Sequence, residues 1–213
     1  MPTKILLLAC LTAAHLAAGD AATSVVTVVP ASPQEARPIT IGSAAPMSVM
    51  VRRTDGTAVN LAAALGGSPT VVVFYRGGWC PFCTRHLAGL AGVMPDLTAA
   101  GWKIVAVAPD QPSVLAATIA KGDDGVPRLS DAAGDLMRAF GVAYRVDDAT
   151  DAKLKSFKVD LATAAGNDHR WLPVPSVFLI AADGTIRFVH ADPDYKVRLD
   201  PKALLAIATT TAK

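Results

Sequence analysis

Two cysteines, Cys80 and Cys83, have the spacing of a redox-active dithiol. They follow an apolar, β-branched run over residues 71–75 that predicts a buried strand, and they precede a helical apolar pattern over residues 87–97. A C-x-x-C motif at the start of a helix places its first thiol near unpaired backbone N–H groups and the positive end of the helix dipole, which favour the thiolate. We therefore expect Cys80 and Cys83 to form a reversible disulfide.

The same motif has other uses, as half of a zinc site, as a static disulfide or as a soft-metal site. A zinc site normally draws four ligands, and the sequence contains neither a second cysteine pair nor an H-x3-5-H motif. A static disulfide that closes so short a loop would add little stability. A copper-binding protein that uses Cys80, Cys83 and a distant histidine such as His190 stays open as an alternative.

Length and charge limit the class of protein. The chain has 213 residues, of which 52% are hydrophobic, and this is enough for one sizeable core. We assign residues 41–211 to that single domain and residues 20–40, which contain three prolines, to a flexible N-terminal segment. The net charge of +2 indicates no nucleic-acid partner.

Residues 1–19 have the pattern of a signal peptide. Lys4 provides the positive charge, residues 5–18 the apolar region and residues 17–19 the small side chains of a cleavage site. An apolar run of about 14 residues is short for a membrane span, so no stable membrane anchor is expected. We expect an exported protein, most simply periplasmic, where disulfide chemistry is permitted. Lipidation of Cys10 is the alternative to cleavage.

The order of the predicted elements is that of an α/β protein. Strands are predicted over residues 25–29, 39–42, 49–52, 71–75, 103–108, 129–131, 177–180 and 185–189. Helices are predicted over residues 61–65, 87–97, 112–121, 132–140, 149–157 and 201–208. Asp131 is the expected N-cap of the helix over residues 132–140. Residues 143–172 are interpreted as an insertion.

Several stretches resemble known thiol proteins. WCPFC after a buried strand, LPVPS at residues 172–176, the Asp183-Gly184 turn and the closing helix resemble the thioredoxin fold. FYRGGWCPFC at residues 74–83 and DPDYKVRLDP at residues 192–201 extend the resemblance to the peroxiredoxin-like branch of the alkyl hydroperoxide reductase and thiol-specific antioxidant family. The resemblance covers roughly residues 41–208. It implies a central mixed β-sheet flanked by helices on both faces, with an insertion before a cis-proline loop.

This resemblance also implies a function. The expected protein is a thiol-dependent oxidoreductase with antioxidant-type activity that reduces peroxides or protein disulfides without a metal or an organic cofactor. Its electron donor would be a thioredoxin-like protein or a membrane disulfide reductase. A thiol–disulfide exchange protein without significant peroxidase activity is the main alternative, and the copper-binding protein is the weaker one.

The sequence departs from the family at positions that matter for peroxide chemistry. Peroxiredoxins carry P-x-x-x-T-x-x-C, whose cysteine attacks the peroxide. Here that cysteine falls on Cys83, the threonine on Cys80 and the proline on Arg76. The family arginine that precedes the next strand falls on Pro175, which instead resembles the cis-proline that faces the dithiol in thioredoxins.

Two mechanisms therefore compete on one scaffold. In thiol–disulfide exchange, Cys80 attacks the substrate and Cys83 resolves the mixed disulfide. In peroxide reduction after the family pattern, Cys83 is oxidised to a sulfenic acid and Cys80 condenses with it. Arg76 and Arg85 are the candidates to polarise the peroxide bond, because they lie close to the motif in sequence.

Residues near the dithiol are expected to shape its surroundings. The expected active-site surface consists of Trp79, Pro81, Phe82, Arg76, Val174 and Pro175. His86 is interpreted as an ordinary packed or surface residue, with acid–base chemistry or metal ligation as the alternative. The stretch 169–171 is interpreted as an ordinary loop end, with a place beside the active site as the alternative. Asp194, Tyr195 and Arg198 match the family resemblance and are expected to have structural roles.

Overall fold

The computed structural model describes residues 28–122 and 124–211. Its strands are β1 Met50–Arg53, β2 Ala58–Asn60, β3 Thr70–Phe74, β4 Lys103–Ala108, β5 Arg128–Ser130, β6 Ala143–Arg145, β7 Trp171–Pro173, β8 Ser176–Ile180 and β9 Ile186–Ala191. Its helices are α1 Leu61–Leu65, α2 Pro81–Ala99, α3 Pro112–Lys121, α4 Asp135–Ala139, α5 Asp148–Ser156, α6 Leu161–Ala165 and α7 Pro201–Thr210.

A seven-stranded mixed sheet forms the centre of the fold, in the order β2-β1-β5-β4-β3-β8-β9. The inner strands β3, β4 and β5 run parallel, and the remaining neighbours pair antiparallel. Strands β6 and β7 form a separate antiparallel pair. The strand that precedes the cysteine motif, β3, therefore lies between two neighbours near the middle of the sheet.

Alternation along β3 sends its side chains to two cores, because successive residues of a strand point to opposite faces. Val72 and Phe74 pack with residues of α1 and α4 on one face. Val71 and Val73 pack with residues of α2, α3 and α7 on the other. The expected central mixed sheet with helices on both faces is confirmed.

Helix α2 carries the cysteine motif at its first turn. Cys80 occupies the N-cap position and Pro81 the first helical position, where the missing N–H of proline costs nothing. The helix continues through Pro95 to Ala99. On the same face, α7 is joined to the loop after α2 by a buried hydrogen bond of 2.9 Å from the Trp102 indole N–H to the Ala208 carbonyl oxygen.

Some predicted boundaries are wrong. Residues 39–42 lie outside the strands. The strand predicted over residues 49–52 corresponds to β1, which forms a hairpin with β2 around the Asp55-Gly56 turn. Helix α4 begins at Asp135 with Gly134 at its N-cap. Asp131 nevertheless caps this helix from a distance, since its two carboxylate oxygens accept the N–H groups of Leu136 at 3.0 Å and Met137 at 2.7 Å.

The insertion contains more structure than the sequence predicts. Helix α5 confirms the helical pattern over residues 149–157, and α6 follows it. The strands β6 and β7 at the two ends of the insertion pair with each other and were not predicted. Each strand has only three residues, too few for an alternating pattern to be recognised.

The expected cis-proline is wrong, because the Val174–Pro175 peptide bond is trans, as are all the described peptide bonds. Strand β7 ends at Pro173 and β8 begins at Ser176, so the chain stays extended on both sides of Pro175. A trans bond fits this path, and trans is the favoured form of an X–Pro bond by about 0.5–1 kcal/mol.

Residues 28–40 correct the expectation of a flexible segment. They contain a short 3-10 turn, Pro33–Glu35. The Arg37 N–H donates to the Gly141 carbonyl oxygen at 3.0 Å, and the Ile39 N–H donates to the Phe140 carbonyl oxygen at 3.0 Å. The signal peptide, Cys10 and most of the strand expected over residues 25–29 lie outside the described residues. None of the described helices is long and apolar enough to cross a membrane.

Candidate active site

Cys80 and Cys83 are free thiols at the start of α2. Each residue is only 1% exposed. The N–H of Cys83 donates to the carbonyl oxygen of Cys80 at 3.0 Å, which closes the first turn of the helix. Both sulfurs therefore belong to the core on the α2 face of the sheet, and access to them depends on the surrounding cavities.

A cavity of about 490 Å³ reaches Cys80 but is not lined by Cys83. Its remaining lining consists of Arg76, Trp79, Pro81, Phe82, Thr150, Lys153, Leu154, Phe157, Val159 and Tyr195. Thr150, Lys153, Leu154 and Phe157 have the i, i+3, i+4, i+7 spacing of one helix face, so α5 and the residue after it form one wall. The insertion thus places a mostly apolar wall beside the first cysteine.

The two thiols differ in acidity. The pKa of Cys80 is lowered to about 6, chiefly by a side-chain hydrogen bond from Cys83, with further help from the Cys83 backbone N–H and the charges of Arg76 and Arg198. The pKa of Cys83 is raised by its hydrogen bond to Cys80 and by burial. One proton therefore stays with Cys83, and the negative charge lies on the sulfur that lines the cavity.

Arg76 lines the cavity together with Cys80, and its charge lowers the pKa of this cysteine. It is 6% exposed, and its guanidinium carbon lies 5.0 Å from the ring centroid of Trp79 and 4.4 Å from that of Tyr195. A cation over aromatic faces keeps its charge while it is shielded from water. Arg76 is thus held in place to stabilise negative charge on Cys80, and its position in the site agrees with the prediction from sequence proximity.

Arg198 is a site residue whose contact the sequence did not predict. Its Nη2 donates to the Sγ of Cys83 at 3.4 Å, across 115 positions of sequence. The stretch DPDYKVRLDP was recognised as part of the family resemblance, but it gave no indication of which residue meets a sulfur. Arg198 was expected to be structural, and the contact gives it a direct electrostatic relation to the dithiol.

Tyr144 is a second residue that the sequence did not indicate. It lies on β6, and its pKa is raised by burial, an effect that the nearby charge of Arg76 opposes. Both cysteines also interact electrostatically with this phenol and raise its pKa further. Because β6 was not predicted, no pattern in the sequence could have placed Tyr144 beside the motif.

The structure brings together only part of the predicted surface. Trp79, Pro81 and Phe82 line the cavity with Cys80. Val174 packs in the core on the opposite face of the sheet, among the side chains around Phe74 and Phe178. Pro175 is buried and accepts a hydrogen bond of 3.4 Å from the Asp192 N–H through its carbonyl oxygen. These two residues lie outside the cavity lining.

The remaining candidates are occupied by structural contacts. Arg85 lies over the ring of Phe82 at 5.8 Å and does not line the cavity. The Nε2 of His86 lies 3.1 Å from the Leu199 carbonyl oxygen, and burial lowers the pKa of His86 to about 4. His169 stacks on Trp171 with ring centroids 4.2 Å apart.

Arg170, at the same loop end, is paired with the insertion helix. Its Nη1 lies 2.7 Å from a carboxylate oxygen of Asp148 and 3.5 Å from one of Asp151. This pairing fixes the side of α5 that faces away from the cavity. Within residues 28–122 and 124–211, no group of three or more His, Cys, Asp or Glu side chains is arranged to hold a metal ion.

Asp110 is a buried carboxyl group behind the motif. Its Oδ2 accepts a hydrogen bond from the Gly78 N–H at 3.3 Å. Burial raises the pKa of Asp110 to about 7, and the hydrogen bond from Gly78 opposes this shift. Asp110 thus supports the turn that leads into the cysteines, and the sequence gave no signal for it beyond its position after β4.

A reduced C-x-x-C pair at the start of a helix, on a mixed sheet covered by helices on both faces, defines a thioredoxin-fold thiol protein. Comparison with known proteins narrows the class. The sequence profile of the AhpC/TSA family matches residues 41–189. This match spans more than half of the chain, and the protein belongs to the AhpC/TSA family.

Individual relatives agree with this assignment. A Mycobacterium tuberculosis (strain ATCC 25618 / H37Rv) protein that is named as a peroxiredoxin is 32% identical over 87 residues, which cover 41% of this chain and 55% of the relative. The match therefore spans about half the length of that relative.

Solved structures of peroxiredoxins share the fold at low identity. Reduced Prx3 of Vibrio vulnificus, solved with hydrogen peroxide, superimposes with a TM-score of 0.64 and 16% identity over 80% of this chain and 99% of that chain. Peroxiredoxin Q of Xanthomonas campestris gives a TM-score of 0.60 and 22% identity over 80% and 96%. These likenesses confirm the thioredoxin-like fold.

Proposed function

We propose that this protein is a thiol-dependent peroxidase that reduces a hydroperoxide with Cys80 and Cys83. The observation that carries the proposal is the cavity that ends at Cys80, the sulfur whose pKa is lowered to about 6. The thiolate is the reactive form of cysteine, so Cys80 is mostly reactive at neutral pH. Membership of the AhpC/TSA family supports the peroxide as substrate.

In the first step, the Cys80 thiolate attacks the distal oxygen of the hydroperoxide. An S–O bond forms and the O–O bond breaks, so that sulfur loses two electrons and the peroxide gains them. The departing oxygen takes up a proton and leaves as an alcohol, or as water when the substrate is hydrogen peroxide. Arg76 lines the same cavity, and its charge stabilises the negative charge that develops on the departing oxygen.

In the second step, Cys83 loses its proton and attacks the sulfur of the Cys80 sulfenic acid. The S–S bond forms as the S–O bond breaks, and hydroxide leaves with a proton as water. A dithiol protein then returns two electrons and two protons by thiol–disulfide exchange. We propose a thioredoxin-like protein or a membrane disulfide reductase as this donor, which implies no metal or organic cofactor.

Thiol–disulfide exchange without peroxidase activity is the second candidate. It is favoured by Cys80 itself, which stands where the family signature has a threonine. In this case Cys80 attacks a protein disulfide and Cys83 resolves the mixed disulfide. The same thiolate serves both reactions, so the substrate alone separates the two candidates.

Stopped-flow fluorescence of the reduced protein tests the proposal, with Trp79 beside the motif as reporter. The matched variants are Cys80→Ser and Cys83→Ser, each mixed with hydrogen peroxide, cumene hydroperoxide and a disulfide peptide. We expect fast oxidation of wild type by a peroxide, one turnover of Cys83→Ser to a sulfenic acid, and no fast oxidation of Cys80→Ser.

Two outcomes would contradict this proposal in different ways. Fast oxidation of Cys80→Ser that is lost only in Cys83→Ser would move the attack to Cys83, as in the family pattern. Slow oxidation of all three proteins by both peroxides, beside rapid exchange of wild type with the disulfide peptide, would establish the exchange protein.

We also propose that the protein acts after export to the periplasm, on the basis of the signal pattern in residues 1–19. Mass spectrometry of the protein from cell fractions tests this proposal. A mature N-terminus near residue 20 in the periplasmic fraction is expected, whereas a chain that retains residue 1 in the cytoplasmic fraction would contradict it.

A further inference from the structure

Arg198 brings a positive charge to the enclosed sulfur of the dithiol. Its Nη2 donates to the Sγ of Cys83 at 3.4 Å, and its Nη1 donates to the Val197 carbonyl oxygen at 2.9 Å. None of the ion pairs between described residues involves Arg198. Among the described residues, its guanidinium thus forms no salt bridge with a carboxylate, and its charge lowers the pKa of both cysteines.

Residues 192–199, here called the C-terminal segment, hold this guanidinium in place. Tyr195 packs edge-to-face on Phe82, with ring centroids 5.6 Å apart. At the other end of the segment, the Leu199 carbonyl oxygen lies 3.1 Å from the Nε2 of His86. The segment is thus attached to α2 on both sides of Cys83, which fixes the position from which Arg198 reaches the sulfur.

The burial pattern shows that this contact is directed inward. Residues 193–197 are exposed, whereas Arg198 and Leu199 are half-buried. Arg198 also lies beyond residues 41–189, the part of the chain that the family profile matches. The position of the family arginine is occupied by Pro175, so a different part of this chain supplies the guanidinium.

We propose that Arg198 is a catalytic residue of the resolving step, whose guanidinium stabilises the Cys83 thiolate that attacks the oxidised Cys80. The inference rests on the proposed function. In this step the Cys83 S–H bond breaks, the S–S bond forms and the Cys80 S–O bond breaks. Cys83 sulfur is oxidised, the sulfenic sulfur of Cys80 is reduced, and hydroxide leaves with the released proton as water.

Arg198 is suited to this step because of the groups around the dithiol. The charged or titratable side chains that interact electrostatically with the sulfurs are Tyr75, Arg76, Tyr144 and Arg198. His86 and His190 interact with Arg198 itself. Burial lowers the pKa of His86 to about 4, so its ring is neutral at neutral pH. Burial also lowers the pKa of His190. The Arg76 guanidinium faces the cavity side, over the rings of Trp79 and Tyr195.

Two-phase kinetics of the reduced full-length protein test the proposal. The first phase is formation of the sulfenic acid, which is measured by trapping with dimedone. The second phase is formation of the disulfide. The variants are Arg198→Met and Arg198→Lys, with Lys196→Met as the control that removes a charge from the same segment without touching a sulfur. A thermal melt of each variant checks that the fold is retained.

We expect Arg198→Met to slow disulfide formation by about tenfold, while the first phase stays within about threefold of wild type. Arg198→Lys should recover part of the rate, because it keeps the charge but not the planar donor. In a Cys80→Ser background, Arg198→Met should raise the measured pKa of Cys83 by about one unit, and Lys196→Met should leave it unchanged.

An unchanged second phase in Arg198→Met would overturn the inference, as would a first phase that slows as much as the second. The pKa of Cys83 in the Cys80→Ser background is a separate readout. If wild type does not react with peroxides, the proposed function fails, and an unchanged Cys83 pKa in Arg198→Met would then still overturn the contact between Arg198 and the thiolate.

Discussion

The two sulfurs lie one helical turn apart, yet they face different parts of the molecule. Cys80 lines a cavity of about 490 Å³ whose opposite wall is formed by the insertion helix α5. Cys83 is enclosed and receives the guanidinium of Arg198 from the C-terminal segment. The motif supplies the two thiols, and the segments around it give each sulfur different neighbours.

The comparison shows that the motif itself makes the two thiols differ in acidity, and that charges from outside the motif add to the lowered pKa of Cys80. Within the motif, the hydrogen bond between the sulfurs lowers the pKa of Cys80 and raises that of Cys83. The helix N-terminus and the charge of Arg76 favour the thiolate at Cys80, which is also the sulfur that a substrate can reach. In the proposed mechanism, Cys83 becomes a thiolate after Cys80 has lost its charge through oxidation.

Removing the hydrogen bond between the sulfurs should have the largest effect on the difference in acidity between Cys80 and Cys83. In Cys83→Ala the main cause of the lowered Cys80 pKa is lost, so the pKa of Cys80 should rise from about 6 towards the ordinary value of about 8.5. Because less thiolate is then present, the rate of the first oxidation at pH 6 should fall by about tenfold.

Cys83→Ser is the matched control, since its hydroxyl group can still donate to Cys80. Thiolate absorbance at 240 nm against pH, measured in both variants, gives the midpoints directly. Equal midpoints for Cys83→Ala and wild type would mean that the cavity side alone sets the acidity of Cys80, and the contrast between the sulfurs would no longer depend on their contact.

The parts of the site that lie close to the cysteine motif in sequence could be predicted, whereas those contributed by distant segments could not. The strand β3, the motif and α2 are continuous in sequence, so apolar periodicity predicted the strand and the helix, and the cysteine spacing predicted the dithiol between them. The thioredoxin-like fold was implied by the family resemblance. Trp79, Phe82 and Arg76 were predicted from proximity alone, and they line the cavity.

The site residues contributed by distant segments could not be predicted from sequence patterns. Arg198 lies 115 positions from Cys83, and Tyr144 lies on a three-residue strand whose alternation is too short to detect. Contacts between such segments depend on tertiary packing, for which local periodicity carries no information. The same limit explains the wrong expectation at Pro175, which was transferred from the thioredoxin resemblance and not from its own surroundings.

Phe157→Ala tests whether the apolar wall of the cavity binds the organic part of a hydroperoxide. Phe157 lines the cavity but is 68% exposed, so its removal should change the wall without lowering the stability of the fold. If organic hydroperoxides use this wall, kcat/KM for cumene hydroperoxide should fall by about fivefold, or about 1 kcal/mol, while kcat/KM for hydrogen peroxide stays unchanged. Ile41→Ala, which removes an apolar side chain that is 61% exposed and does not line the cavity, is the control.

An equal fall for both peroxides in Phe157→Ala would show that the wall positions the dithiol and does not bind the organic part of the substrate. No fall for either peroxide would mean that the apolar lining around Cys80 does not contact the substrate in the rate-determining complex. Either result would weaken the cavity as the feature that separates Cys80 from Cys83.

The smallest effect on the sulfurs is expected from Asp110→Asn, because this carboxyl group contacts the Gly78 N–H behind both sulfurs and neither sulfur directly. Its pKa is raised from the ordinary value of about 3.9 to about 7, so the folded protein binds the proton more tightly than the unfolded chain. The stabilisation that this proton gives is present below about pH 4 and is lost as the pH rises through about 7.

Asn keeps an oxygen that can accept from Gly78 but does not ionise, so the fall in unfolding free energy between pH 4 and pH 7 should be smaller in Asp110→Asn than in wild type. Part of the fall should remain, because burial also raises the pKa of Asp131 to about 7. Urea unfolding at several pH values measures this difference, and a thiolate titration of the same protein should keep the Cys80 midpoint near 6. A Cys80 midpoint that moves by one pH unit or more would show that Asp110 affects the acidity of the thiols. The unequal acidity of the two sulfurs would then depend on Asp110 as well as on Arg76 and Arg198.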